Sequence, residues 1–282
     1  MSHLTKLLSP LALAALASLG CGDNLTPPAA SAPYEGATPA PLSCVPNLDG
    51  AIDASELEAA IGVQVSYRVS PPGAGRAVDV AGRVDADGHR TWDWAEEASE
   101  PVARIAASDL AGKWYAASFP GGAFVTPFDA GGSMEAVYVK DDEALWLLGI
   151  ASTEEQPPEG RTLLVYDTKV ALFRFPITDG AAWVSAGTVR NGVVRDLPYA
   201  GRDSYEVTVD GAGRLELPDL SFTQVHRVRT RVVSEPAVGA PTSRRQVSFL
   251  FECFGEVARA TSRPDEPDED FTTAAEIRRL GI

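Results

Sequence analysis

The chain has 282 residues, is 45% hydrophobic and carries a formal charge of −15 with a pI near 4.6. It is long enough to bury a substantial core, as one large all-β domain or two small ones. The acidic balance excludes nucleic acid as a partner and excludes unassisted binding to an anionic bilayer, since both would be repelled and no basic stripe offsets the charge.

In chain order, a targeting segment comes first. Lys6 and the free amine precede an apolar run from Leu7 to Leu19, too short to cross the ~30 Å hydrocarbon core as a helix. The run ends "ASLGC", Ala17 to Cys21, with Leu19 two places and Gly20 one place before the cysteine. This resembles the lipobox of bacterial lipoproteins. The resemblance implies a signal peptide over 1–20, cleavage before Cys21, a diacylglycerol on its thiol and fatty acylation of its amine. The partner is then a membrane, held through that lipid. Gly22 after the cysteine implies sorting to the outer membrane, with the domain facing the periplasm or the cell surface.

Residues 21–43 form a tether. "GDNLTPPAASAPYEGATPAPLS" holds five prolines among small residues and has too little apolar surface for a core. Its reach is roughly 25 Å as a coil and about 70 Å as polyproline II.

A β-rich domain is expected over 44–262, opening with a turn and helix over 44–62. "CVPNLDGAIDASEL", Cys44 to Leu57, resembles an EF-hand or dockerin-type calcium loop. Asn47, Asp49, the Ala51 carbonyl, Asp53 and Glu56 fall at ligand places 3, 5, 7, 9 and 12, with Gly50 at the turn and Ile52 at the apolar anchor. Val45 departs from the pattern, because place 1 needs a side-chain oxygen. The alternative needs no metal: Asn-x-Asp-Gly makes a turn, Asp53 caps a helix over "ASELEAAIG", and Glu56 closes a capping box. A bound calcium would be structural and no other cofactor is expected. With Cys21 taken by lipid, Cys44 and Cys253 remain as an even pair in an oxidising compartment, which predicts a disulfide over two buried free thiols.

From Gln64 to Thr261 the chain reads as antiparallel strands. Val65–Val69, Ala77–Asp85, Met134–Lys140 and Ser204–Asp210 alternate with period two; Ala144–Ala151 and Gln246–Phe254 are more continuously apolar and read as central strands. Asp87-Gly88 and Asp210-Gly211 are expected hairpin turns. A helix is an option around "EPVARIAASDLAGKW". Trp92 and Trp94, two apart, share a strand face, as core or as a platform for sugar or lipid.

Motifs of catalysis are missing from the sequence. Beyond the leader there are two histidines, His89 and His226, and no H-E-x-x-H, G-x-S-x-G, G-x-x-x-x-G-K or C-x-x-C. Carboxylates that could pair across a cleft are plentiful, so a hydrolase remains an alternative. Ser204 to Val232, "SYEVTVDGAGRLELPDLSFTQVHRVRTRV", resembles a segment of bacterial envelope proteins, some of which look like the open half-barrel of lipoprotein carriers. That resemblance implies a curved sheet with an apolar concave face. Arg227, Arg229 and Arg231 alternate on one face of its last strand. Finally, "RPDEPDED" (263–270) reads as an acidic linker. "TTAAEIRRLG" reads as a short helix with a Thr273/Glu276 capping box and Arg278 and Arg279 at its negative end.

The expectation is an all-β domain, as a curved half-barrel or a sandwich, with short helices near its start and at its C-terminus. Functionally it reads as a non-catalytic binding or scaffold module anchored in the envelope. The alternative from another class is a carrier or sensor of an apolar ligand.

Overall fold

The computed structural model describes residues 44–71, 75–96, 99–129 and 131–281. The leader, Cys21 and the tether lie outside the described residues. Eighteen strands follow: β1 (Ala51–Ile52), β2 (Val65–Val69), β3 (Arg76–Ala77), β4 (Arg83–Val84), β5 (Arg90–Asp93), β6 (Val102–Ile105), β7 (Ser108–Asp109), β8 (Phe124–Pro127), β9 (Met134–Lys140), β10 (Ala144–Ser152), β11 (Leu163–Arg174), β12 (Ile177–Thr178), β13 (Ala182–Val194), β14 (Leu197–Glu216), β15 (Ser221–Pro236), β16 (Thr242–Phe251), β17 (Gly255–Ser262) and β18 (Thr273–Leu280). The fold is all-β and almost wholly antiparallel, as the alternation predicts.

One hydrogen-bonded path runs β6-β2-β18-β17-β16-β15-β14-β13-β11-β10-β9-β8-β7, and β1 and β12 pair separately. Its two ends, β6 and β7, are separated in the chain by Ala106 and Ala107 alone. At most ~3.6 Å per residue, Ile105 and Ser108, where the two strands adjoin, lie within about 11 Å of each other. The sheet therefore curls until its edges nearly meet, without a ladder closing it. Near this seam the Arg278 Nη2 donates to Phe128 O at 3.1 Å, joining β18 to the end of β8 from the far side of the path.

Both faces of the curled sheet are covered. Inside, Leu147, Tyr166, Val207, Val228 and Leu250 pack with Ile52 and Ile177 of the β1–β12 pair. Outside, Trp92 and Trp94 lie against Phe249, with ring centroids 4.8 and 5.0 Å apart, and with Leu215, Val257 and Phe271. A third cluster puts Tyr115 and Phe119 over Val125 and Val137. Trp92 and Trp94 are thus core, each fixed further by its indole N–H, which donates to Val80 O and Asp79 O.

Four local expectations are corrected. The Asp87-Gly88 turn does join β4 to β5, but Asp210-Gly211 lies inside β14, at a bulge between Val209 and Ala212. Gly213, two residues on, serves close approach: a Cβ there would stand 2.4 Å from Arg90 O of β5, which pairs parallel with β14. The C-terminal segment forms strand β18 instead of a helix, pairing with β17, β2 and β3 and so joining the β domain. A helix that short is marginal in water, whereas the sheet satisfies the backbone on both sides. Arg278 and Arg279 then point to opposite faces, and Arg279 is held by Trp94 O, Glu96 O and Glu100. The optional helix around Glu100–Trp114 is β6 and β7, and "ASELEAAIG" supplies only a 3-10 turn, Ala54–Glu56.

Candidate functional site

The end of the sheet at Cys44, the first described residue, carries most of the residues singled out above. Cys44 and Cys253 form a disulfide with a Cα–Cα distance of 5.6 Å across 209 residues. Cys253 sits in the turn from β16 to β17, at φ +66°, and its N–H donates to Glu56 O at 2.9 Å. Beside it the buried Glu252 takes two backbone donors on one oxygen, Asn47 N at 2.6 Å and Leu48 N at 2.8 Å.

The loop itself is a set of nested turns. Asn47 Oδ1 accepts from Asp49 N and Asp49 Oδ1 accepts from Ala51 N. Glu56, buried, accepts from Asn47 Nδ2 at 2.9 Å and from Asp53 N at 2.9 Å. Ala51 pairs with Thr178 in the β1–β12 ladder, and Gly50 supplies the left-handed backbone at φ +92°. The structure thus brings Asn47 and Glu56 together and turns the oxygens of Asn47, Asp49 and Glu56 onto amides of the loop. Among the described residues, the trio of acidic and imidazole groups with ligand atoms within 4.8 Å of one another is Asp85, Asp87 and His89, exposed on the β4–β5 turn.

Behind the loop lies His226, a position that alternation on β15 could place on a face but not in a core. It is 1% exposed and neither ring nitrogen has a hydrogen-bond partner. Burial lowers its pKa, and the nearby carboxylates of Glu252, Asp179 and Asp49 offset only part of that. The imidazole is therefore neutral at pH 7.

The sequence gives no hint of the polar cluster inside the curl, next to the seam. Glu256 and Arg259 of β17 and Glu276 and Arg278 of β18 face Tyr67 of β2 and Tyr138 of β9. Tyr67 OH donates to Glu256 O at 2.7 Å, Ser248 Oγ donates to Glu256 Oε2 at 2.8 Å, and Arg278 Nε donates to Glu276 Oε1 at 2.5 Å. Arg259 lies between the two carboxylates at 3.5 and 3.7 Å. Burial raises the pKa of both tyrosines, so both stay protonated. Burial and the charge of Arg259 lower the pKa of Arg278. Further along the same face, Tyr166 OH donates to Asp203 at 2.6 Å and meets Tyr205 OH at 3.3 Å. These groups come from strands far apart in the chain, which is why no motif announces them.

The arginines of β15 face outward from the curl, as alternation predicts, but they are not simply solvated. Arg227 is 3% exposed, bidentate to Asp210 at 2.7 and 2.9 Å, bonded to Val80 O, and set 5.3 Å from the centre of the Trp92 ring. Bulge residue Asp210 also accepts from Arg229 at 2.5 Å. No protein-family model, no curated protein and no solved structure matches this chain.

Proposed function

We propose that this protein is a lipid-anchored, non-catalytic scaffold or binding module of a bacterial envelope, held through acylated Cys21 and its tether. The observation that carries the reading is how the first described residues enter the fold. They are stapled by Cys44–Cys253 to the β16–β17 turn, with Glu252 and Glu56 adding hydrogen bonds around the staple. β16 and β17 lie well inside the sheet path. Tension along a tether therefore loads central strands in place of peeling an edge. No helix among the described residues is long and apolar enough to cross a membrane.

The same observations favour a scaffold over a carrier of acyl chains. The concave face holds ion-paired arginines, carboxylates and tyrosine hydroxyls among its apolar side chains. Stripping such groups of their partners to seat an alkyl chain would cost about 1–3 kcal/mol for each neutral group and more for each charged one. Membrane fractionation with mass spectrometry of the mature N-terminal peptide tests the reading. A diacylglyceryl-cysteine at position 21, and release of Cys21→Ala into the soluble fraction, are expected. A native N-terminus without lipid mass, or a Cys21→Ala protein still in the membrane, overturns it. Copurified lipid inside protein lacking the acyl anchor would restore the carrier.

A further inference from the structure

The acidic segment 264–270 and the outward arginines of β15 and β16 meet in one place. Arg229 Nη1 donates to Glu269 O at 2.6 Å and its Nη2 pairs with Asp270. Arg245 Nε and Nη2 donate to Glu266 O and Pro267 O at 3.0 and 3.1 Å. The segment is thus strapped down mainly through its carbonyls, which leaves guanidinium charge uncancelled by those bonds. Arg231 and Arg245 are directly opposite each other in the β15–β16 ladder. Like charges so placed repel unless an anion lies between them.

Their present counter-charges are loose. Arg231 Nη1 meets Glu206 Oε2 at 3.1 Å with both side chains substantially exposed. Arg245 Nη1 stands 3.6 Å from Glu269 Oε1, beyond hydrogen-bond length, and Glu269 is 73% exposed. Between strap and sheet lies a cleft of about 130 Å³ lined by Arg229, Arg231, Arg245, Glu206, Asp210 and Glu269, among others. A cleft of that size has room for several waters, and so for a tetrahedral oxyanion. Asp210 is committed to Arg227 and Arg229.

We propose that this cleft binds a phosphate group, with Arg231 and Arg245 as its bidentate donors and Glu269 as a counter-ion that swings out to admit it. Forked guanidiniums match phosphate oxygens in geometry as well as charge. A monoanion replaces the single negative charge that leaves with the carboxylate, and a dianion adds a second one against the two guanidiniums of Arg231 and Arg245, so the dianion is favoured. The site is independent of the lipid anchor and of what the module holds.

The test is calorimetric titration at constant ionic strength with inorganic phosphate, with chloride as control, and with a soluble short-chain phosphatidic acid. Saturable phosphate binding with a Kd of order 1 mM is expected. Arg231→Gln and Arg245→Gln should each weaken it about tenfold, and Glu269→Gln should tighten it severalfold. Phosphatidic acid binding much more tightly than phosphate assigns the group to a lipid headgroup; equal affinity assigns it to free phosphate. No saturable heat with phosphate beyond the chloride control overturns the proposal. So does an unchanged affinity in Glu269→Gln, a surface replacement that leaves the strap's carbonyl contacts in place, together with Arg231→Gln and Arg245→Gln proteins of native melting temperature.

Discussion

Replacing Cys44 and Cys253 together by serine removes the covalent tie between the first described residue and the β16–β17 turn. The two sulfurs close a loop of 209 residues. In the chain-entropy treatment a loop that long restricts the unfolded chain by about 5 kcal/mol, and typical measured values are about 2–4 kcal/mol. The folded state changes little, because Asn47 N and Leu48 N still donate to Glu252 and Cys253 N–H is replaced by a serine N–H facing Glu56 O. For a domain of this size each kcal/mol moves the midpoint by about 2–4 °C, so the melt should fall by roughly 5–15 °C. Thermal unfolding by circular dichroism of the purified protein, oxidised and with reductant, provides the comparison. Reductant should lower the wild-type curve onto that of the double serine variant and leave the variant's own curve in place. Superimposable wild-type and variant curves would refute the reasoning, as would thiol alkylation of denatured, unreduced wild-type protein.

The neutral His226 makes stability fall on acidification. Its folded pKa lies below 6.5, so the unfolded chain binds the proton first, and stability drops as pH falls through 6.5 toward the folded value. Urea melts from pH 7.5 to 5 should show that slope, and His226→Leu should flatten it; an equal slope in the variant would assign it elsewhere. Asp141, held down to about 2 chiefly by the Trp146 indole N–H and then by backbone donors and Lys169, should titrate nearer the ordinary 3.8 in Trp146→Phe. Carbon-13 NMR of the carboxyl reads this directly, and an unmoved midpoint would remove the indole from the account. Any stability carried by this exposed carboxylate is present above pH 3.8, lost as pH falls through about 2, and small because solvent screens it. Gly213→Val puts a side chain where Arg90 O already stands and should cost about 1–3 kcal/mol by prising β5 from β14. Denaturant melts with unchanged midpoints would show that β5 can yield. Trp92→Ala, by emptying the contact with Phe249, should cost about 3–5 kcal/mol in the same assay.

Strand identity was legible where it depends on neighbours in sequence. Val65–Val69 and Met134–Lys140 coincide with β2 and β9 because alternate residues meet different environments at any position in a half-buried sheet. The pairing of Cys44 with Cys253 followed from parity once the lipobox resemblance set Cys21 aside for lipid. The Asn47–Glu56 loop was legible as a turn as well as a metal loop, since both readings need the same oxygens and the same glycine. The seam cluster was not legible because Tyr67 and Tyr138 reach it from strands distant in the chain, and the phosphate cleft was not because its register, Arg231 opposite Arg245, and the return of Glu269 over it are set by tertiary structure.

By itself the sequence determined the all-β class, the acidic character and a turn at Asn47–Glu56, all consequences of local periodicity, side-chain chemistry and composition. Tertiary structure decided that Thr273–Leu280 is a strand, that Asp210-Gly211 is a bulge and that the sheet curls until β6 and β7 nearly meet. In each case the local preference was worth less than the backbone hydrogen bonds and buried area that neighbours from elsewhere in the chain supplied. No window of sequence contains those neighbours.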